Sequence, residues 1–523
     1  MTAPPLTAID LFCGAGGMSL GLSMAGYETA WAIDADESAA RTFAANFDTR
    51  PAVGDIREIG AERVAARVGG GQEIDRDGGA GTVSSADVRS SRTGVDLVVG
   101  GPPCPTHSHV GRNRLETVDD DDRHHLYEDF VRFVGAIRPR AFLMENVPGM
   151  THSVSAGGVP VIEDIETRCE ELGYRVTAAS VDAANFGVPQ RRERMFILGN
   201  RLGLPNPHLP AWRTHRPPKD AAERRAKIAA DTDRRPSTGS DSIQSTLGAG
   251  GGGDGPDEAD EANAASAADD AAARRGTGTA AEALPVPTRD GNDVLRPWNT
   301  VADALLDLPP ARDPESDPRD DDAHPPLAAD GGAGYYATEA LTPYQRWVRT
   351  SPSDLNPSGD GGDGGDGNAG TPLDSHVRRF VSDRDRALYT LLGEGVGYTV
   401  ESLPDRLCPH DTDSFPDKYR KLNPSEPSNT IIAHISQGGN RFVHPRHARS
   451  ITVREAARLQ SFPDSFTFPV AQTPSYRQIG NAVPPLLARA LGIAIGETIL
   501  DADGDGDADI DGDGDADADA GAA

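Results

Sequence analysis

Residues Thr7 to Phe12 form a short apolar run that breaks at once into Cys13-Gly14-Ala15-Gly16-Gly17, and Met18 to Ala25 then carries helical character. A strand, a glycine-rich turn and a helix in that order open a βαβ unit, whose parallel strands need covering helices. Glycines at such a turn let the backbone approach a ligand closely. The spacing is Gly-x-Gly-Gly, so the dinucleotide fingerprint is not met. Thr29 to Ile33 repeats the strand pattern and ends in Asp34, Gly54-Asp55-Ile56 closes a third unit, and Asp96–Val99 and Ala141–Met144 supply further strands. An acid ending the second strand of a doubly wound sheet is placed to accept hydrogen bonds from ribose hydroxyls, and Asp55 could hold an adenine amino group. The fold class expected is α/β, a doubly wound sheet.

Three downstream blocks carry the chemistry. Cys104 sits in Gly101-Pro102-Pro103-Cys104-Pro105, Glu145-Asn146-Val147 follows the strand from Ala141, and Gln190-Arg191-Arg192-Glu193-Arg194 comes third. They supply a thiol, a carboxylic acid and a guanidinium. A thiolate attacks an electron-poor pyrimidine at C6 when the ring nitrogen is protonated or hydrogen-bonded, and C5 then becomes a nucleophile that can take a methyl group.

With Arg454 to Gln460 and Gln478-Ile479-Gly480-Asn481-Ala482-Val483 completing the order, these blocks resemble the cytosine-C5 DNA methyltransferases, which use S-adenosylmethionine. The likeness covers roughly residues 5 to 58, 94 to 202 and 416 to 498. It implies a Rossmann-like methyltransferase sheet with a smaller target-recognition domain inserted. Phe12 would lie against the cofactor's adenine and methionine portions, Asp34 would bind its ribose and Asp55 its adenine. Gly14, Gly16, Gly17, Ile56, Pro102 and Asn481 would complete that pocket. Cys104 would bond to C6, Glu145 would contact N3 and the exocyclic amine, and Arg194, with Arg192 nearby, would orient the base. A free carboxyl with a pKa of about 4.3 donates protons poorly at neutral pH, so burial or the substrate must help Glu145 hold one. A cytosine within a duplex hides C6, so the base must be flipped out, at about a few kcal/mol. Residues Pro105 to Asp122, with Arg112 and Arg114, are the natural lid.

The sequence departs from the family at three places. Pro105 stands where Gln is usual, His107 where an aromatic is frequent, and Asp34 where Glu is commoner. A transfer-RNA cytosine-C5 methyltransferase on the same fold is the alternative reading, against which the long recognition region and the Arg454–Gln460 helix stand. A methylase of exocyclic amines would need an aromatic residue at position 104, and a noncatalytic binder would not need the thiol, acid and arginine together.

A net charge of -30 would ordinarily argue against a nucleic-acid partner. Lysine, however, occurs only at 219, 227, 418 and 421, while Asp is abundant among Gly and Ala, a composition that resembles proteins of extreme halophiles. Local charge runs the other way: from Arg191 to Lys219 Glu193 is the sole acid, and from Gly438 to Arg454 there is none. Both stretches are expected to track a phosphate backbone of double-stranded DNA.

The expected organisation is a catalytic domain over 1–205 and 445–500 with a low-complexity insert at 69–91, a low-complexity linker over 206–290, a target-recognition domain over 291–444 with inserts at 313–330 and 353–370, and an acidic tail over 501–523. Trp298, Tyr344, Trp347 and Tyr419 read as core rather than base-stacking residues. Thr452 with Glu455 three residues on forms a capping-box pattern opening a helix over 451–461. Cys13, Cys104, Cys169 and Cys408 form no Cys-x-x-Cys pair, and His107, His109, His124 and His125 lack a ligand set around them, so no metal is expected. Position twelve of a calcium loop begun at Asp501 is Gly512, which excludes that reading of the tail. No signal peptide and no membrane span are expected, which places the protein in the cytoplasm on DNA; one monomer per flipped base is the simplest arrangement, with a restriction endonuclease partner left open.

Overall fold

Alternation of side chains along the central strands decides how this sheet is covered. In a computed structural model, which describes residues 5–69, 94–103, 125–155, 158–218, 295–312, 342–349, 373, 375–392 and 419–500, seven strands form one sheet in the order β3-β2-β1-β4-β5-β7-β6. They are β1 (Leu6–Leu11), β2 (Tyr27–Asp34), β3 (Ala52–Val53), β4 (Leu97–Gly100), β5 (Ala141–Asn146), β6 (Arg175–Asp182) and β7 (Glu193–Asn200). Ala8, Leu97, Val99 and Leu143 pack to one face, and Ile9, Val98, Phe142 and Met144 to the other. Both faces are buried, so these strands read as apolar runs, as parallel strands between helix layers must. The five strands β3 to β5 are parallel, and β7 enters antiparallel between β5 and β6.

Helices α1 (Gly17–Ser23), α2 (Glu37–Asn46), α3 (Ala61–Gly69), α4 (Leu126–Ile137) and α5 (Val161–Glu171) follow in chain order. Phe130, Phe133 and Val134 of α4 and Ile165 of α5 cover the second face. Strand order reverses between β1 and β4, and ligands of open α/β sheets bind at the carboxyl ends of strands at that point. The α/β doubly wound expectation is met.

The region after β7 adds α6 (Val301–Leu305), α7 (Pro343–Val348) and α8 (Asp383–Leu391). The first two open with capping boxes, at Thr300 with Asp303 and at Thr342 with Gln345. Val301, Leu305, Trp347 and Phe442 belong to the same apolar cluster as the first face of the sheet, so one core runs continuously between them. Tyr344, Trp347 and Tyr419 are buried as expected. Trp298 is half-buried: its Nε1 donates to Asn185 Oδ1 at 3.0 Å, and the Arg191 guanidinium lies 4.7 Å over its ring.

The chain then returns through α9 (Val453–Leu459), α10 (Gln472–Asn481) and α11 (Pro485–Ile495). The capping box forms as read: Glu455 N donates to Thr452 Oγ1 at 3.2 Å, and Thr452 N to Glu455 Oε2 at 2.7 Å. Helix α11 lies directly on α1. A β-carbon on Gly17 would sit 2.3 Å from the Val483 carbonyl oxygen, so only glycine permits that approach. Tyr27 Oη also donates to the Gly492 carbonyl at 3.0 Å. Contrary to the expectation that no stretch is long and apolar enough to span a membrane, Gln472–Leu500 is, but 78% of its 18-residue apolar window is buried within the protein, as in a core element.

The basic stretches behave differently from the expectation. Arg192 is buried and donates to the Ile431 and Gly480 carbonyls, Arg191 pairs with Asp182, and Arg201 bonds the Arg138 and Pro139 carbonyls. Arg449 forms a two-bond pair with Glu455 at 2.7 Å for each bond, and Arg454 is wholly buried on the Pro463 and Phe466 carbonyls. Arg192, Arg449 and Arg454 are thus turned to the interior and do not track a phosphate backbone, whereas Arg191 and Arg201 remain exposed. A guanidinium has five donors, which suits it to gathering carbonyls that end buried segments. Cys104, the segment 105–122, the inserts 313–330 and 353–370, the tail, and most of 69–91 and 206–290 lie outside the described residues.

Candidate active site

A cleft of about 590 Å³ opens where β1, β2, β4 and β5 end. Phe12, Gly14 and Gly17 line it from the first turn, Asp34 from the end of β2, and Asp55 and Ile56 from the turn after β3. Pro102 enters after β4, Glu145 from β5, Arg192 from the residue before β7, Arg194 from β7 itself, and Asn481 from the end of α10. Of the sequence-derived candidates, Gly16 does not line the cleft. It caps α1 at φ 96°, a left-handed conformation natural to glycine, and a β-carbon there would lie 2.4 Å from the Phe47 ring. Its part is to shape the turn. Cys104 lies outside the described residues, one position beyond Pro103, which lines the cleft.

Phe12 sits at φ 59°, a left-handed backbone uncommon for a bulky residue. Such a conformation costs on the order of 1–3 kcal/mol and persists where surrounding contacts enforce it. Cys13 N donates to the Ile33 carbonyl at 3.0 Å, and Gly14 N donates to Asp34 Oδ2 at 2.8 Å, so the turn is pulled onto the end of β2. Asp34 Oδ1 accepts from Asp36 N at 2.7 Å. Each oxygen retains acceptor capacity towards the cleft. Burial holds Asp34 above the usual carboxylate range, against the pull of those two N–H groups. Asp55 is clasped by Arg57 through three bonds of 2.6–3.1 Å, which holds its carboxyl below the usual range.

Register places the opposite wall. Glu145 of β5 pairs with Phe196 of β7, so Arg194, two residues before Phe196, projects on the same face as a diagonal neighbour. Arg194 Nε lies 3.0 Å from Glu145 Oε1, with each side chain 12% exposed. Burial lowers the Arg194 guanidinium's affinity for its proton, and Glu145 counters it. For Arg192, burial and then Arg194 disfavour the charge, which Glu145 partly restores. Its Nε is buried without a partner in the cleft wall.

Two contributors were absent from the sequence-derived set. Asn146, next to Glu145, donates from Nδ2 to the Pro102 carbonyl at 3.0 Å and so ties the end of β5 to the segment leading into Cys104. Alternation along β5, which turns Asn146 away from Glu145, was the available signal. Asp10 lines the cleft floor and accepts a 2.6 Å hydrogen bond from Ser19 Oγ. Burial pushes its carboxyl up to about 7, with Ser19 opposing and Asp34 adding to the rise.

The sequence profile of C-5 cytosine-specific DNA methylases matches residues 6–247 and 394–497. The chain belongs to that family. This cytosine methylase is 30% identical to the type II methyltransferase M.AgeI of Thalassovita gelatinovora, over 94% of its own length and 99% of the relative's. It is 27% identical to the type II methyltransferase M.XorII of Xanthomonas oryzae pv. oryzae, over 94% and 84% of the two chains. A crystal structure of a prophage-encoded protein from E. coli shares the methylase fold at a TM-score of 0.56 and 22% identity, covering 95% of this chain and 99% of that one. The methylase is therefore a DNA cytosine methyltransferase, as the sequence implied.

Proposed function

We propose that this methylase transfers a methyl group from S-adenosylmethionine to C5 of a cytosine flipped out of duplex DNA, at a fixed sequence, alongside a restriction endonuclease, as a cytoplasmic monomer. The observation that carries the reading is the Glu145–Arg194 pair in the same cleft as Asp34. The cleft volume, about 590 Å³, suits a cofactor of nucleoside size together with a base, since small-molecule sites run from roughly 300 to 1,000 Å³.

The residues present fit the cofactor. Asp34 offers acceptor positions to ribose hydroxyls, Ile56 and Phe12 offer apolar surface to an adenine, and Asp55 could share its carboxylate between Arg57 and an adenine amine. When bound, S-adenosylmethionine supplies an electrophilic methyl group on a sulfonium sulfur. Cys104 adds as thiolate to C6, forming the S–C6 bond while the C5–C6 π pair moves to C5. Glu145 holds the proton at N3, and Arg194 orients the base and supports charge developing on it. Once C5 carries the methyl group, loss of its proton returns an electron pair to the ring and the S–C6 bond breaks, releasing the thiolate. Asn146, through the Pro102 carbonyl, steadies the segment that presents Cys104.

Residues 1–205 and 445–500 form the catalytic domain on this reading, and 291–444 choose the DNA sequence. The acidic, lysine-poor composition suits a protein working in concentrated salt. Duplex DNA carrying 5-fluorocytosine tests the proposal, because fluorine at C5 blocks the final proton loss. Wild-type enzyme with cofactor should form a covalent adduct stable to denaturation, and Cys104→Ser should form none while still binding S-adenosylmethionine. An adduct with Cys104→Ser, or none with wild type, overturns the mechanism.

A further inference from the structure

Arg192, Arg194, Arg449 and Arg454 are committed to internal partners, so contact with DNA calls for other cations. A second concavity, of about 300 Å³, lies where the start of α8 faces the 447–449 segment. Arg378, Arg386, His447 and Arg449 line it, and among the described residues no carboxylate does. Pro310, Ala311 and Ala448 complete the lining, and in a chain with 81 acidic against 51 basic side chains, a hollow whose ionisable lining is wholly basic favours an anion.

Arg449 forms the buried floor, held by Glu455. Arg386 is exposed, and its guanidinium has no partner among the described residues. The acid next to it, Asp385, is occupied by Ser382 Oγ and by Tyr419 Oη, each at 2.9 Å. Arg379, beside Arg378, donates to the Ile435 and Ser436 carbonyls at 2.5 and 2.6 Å. That anchor fixes the hollow to the 433–436 turn, which packs on α10, and the end of α10 lines the active cleft. Phe380 is 65% exposed, an aromatic left in solvent two residues from Arg378.

From this we infer that the hollow lined by Arg378, Arg386 and His447 is a phosphate site, and that its occupant is a backbone phosphodiester of the duplex whose cytosine enters the active cleft. Guanidinium groups match phosphate oxygens in geometry, and such contacts fix the register of a protein on DNA without reading bases. The inference rests on the proposed DNA methylation and adds a second point of attachment to it.

The test uses the full chain, a labelled duplex of mixed sequence, and unmethylated genomic DNA as methyl acceptor. Arg386→Glu should weaken duplex binding about tenfold at low salt, flatten the dependence of log K on log salt by about 0.9, the value of one lost phosphate contact, and raise KM for DNA. Arg386→Gln should do the same to a smaller degree, and Arg175→Glu, the same charge change at an exposed position on β6, should leave the salt slope as in wild type. An unchanged slope and affinity in Arg386→Glu, with a wild type that methylates DNA, overturns the phosphate site and leaves the proposed function standing. Binding of inorganic phosphate that Arg386→Glu abolishes without any loss of DNA affinity makes it a small-anion site and also overturns the inference. A wild type that methylates no duplex overturns the proposed function and this site with it.

Discussion

Arg194 Nε stands 3.0 Å from Glu145 Oε1 because two antiparallel strands place them diagonally across one face of the sheet. A parallel β7 would present a different residue to Glu145. The single antiparallel strand in the middle of the second half of the sheet therefore sets the geometry of the wall opposite Asp34.

Glu145→Gln keeps the shape of the side chain and its acceptor towards Arg194 but cannot cycle a proton. Single-turnover methyl transfer should fall about 100-fold or more, with S-adenosylmethionine affinity near that of wild type. An unaltered rate would assign the proton to another group.

Asp34→Ala removes both the acceptor facing the cleft and the anchor for the Gly14 and Asp36 N–H groups. Calorimetric affinity for S-adenosylmethionine should drop at least about tenfold, since hydrogen bonds to a charged group contribute roughly 1.5–3 kcal/mol each. Affinity equal to wild type would remove Asp34 from the cofactor site.

Asp10 makes stability depend on pH in the opposite sense from a salt-bridged acid. Its carboxyl titrates at about 7 in the folded chain and at about 3.9 unfolded, so in between the folded state holds a proton that the unfolded state has released. Its contribution is complete below the unfolded value and is lost as pH rises towards the folded one. Asp10→Asn should therefore gain on wild type by a few kcal/mol between pH 4 and pH 7, read as diverging urea midpoints. Parallel midpoints across that window would refute the buried protonated form.

Arg458 bridges two buried carboxylates, Asp307 and Asp464, each at 2.5 Å, and Asp307 also holds Arg349 at 2.6 Å. Arg458→Ala strips the shared cation and leaves Asp464 with only the more distant Arg454, at 3.9 Å, and Asp307 with Arg349. A loss of about 3–5 kcal/mol in unfolding free energy is expected, as for other broken buried pairs. A change under 1 kcal/mol would mean that water enters the site.

The catalytic half was legible in the chain because backbone demands leave local marks. The turn after Phe12, the acid ending β2 and the Thr452–Glu455 capping box each need particular residues at fixed spacing, and each forms as read. The arginine-rich stretches misled because charge is visible in a sequence and burial is not. Arg192 looks like a surface cation until the carbonyls of residues 431 and 480 arrive from distant segments, and Arg454 until the turn after α9 folds the carbonyls of residues 463 and 466 back onto it. Asp10 was hidden for the same reason: its neighbourhood exists only after β1, α1 and β2 have assembled.

The contact between Gly17 and the Val483 carbonyl has a temporal meaning during synthesis. The glycine turn leaves the ribosome well before the helix that backs it, which is made more than 450 residues later. A nascent chain thus carries Glu145 and Arg194 long before it has a finished cleft, and a product cut short ahead of α11 would lack the support that holds that turn in place.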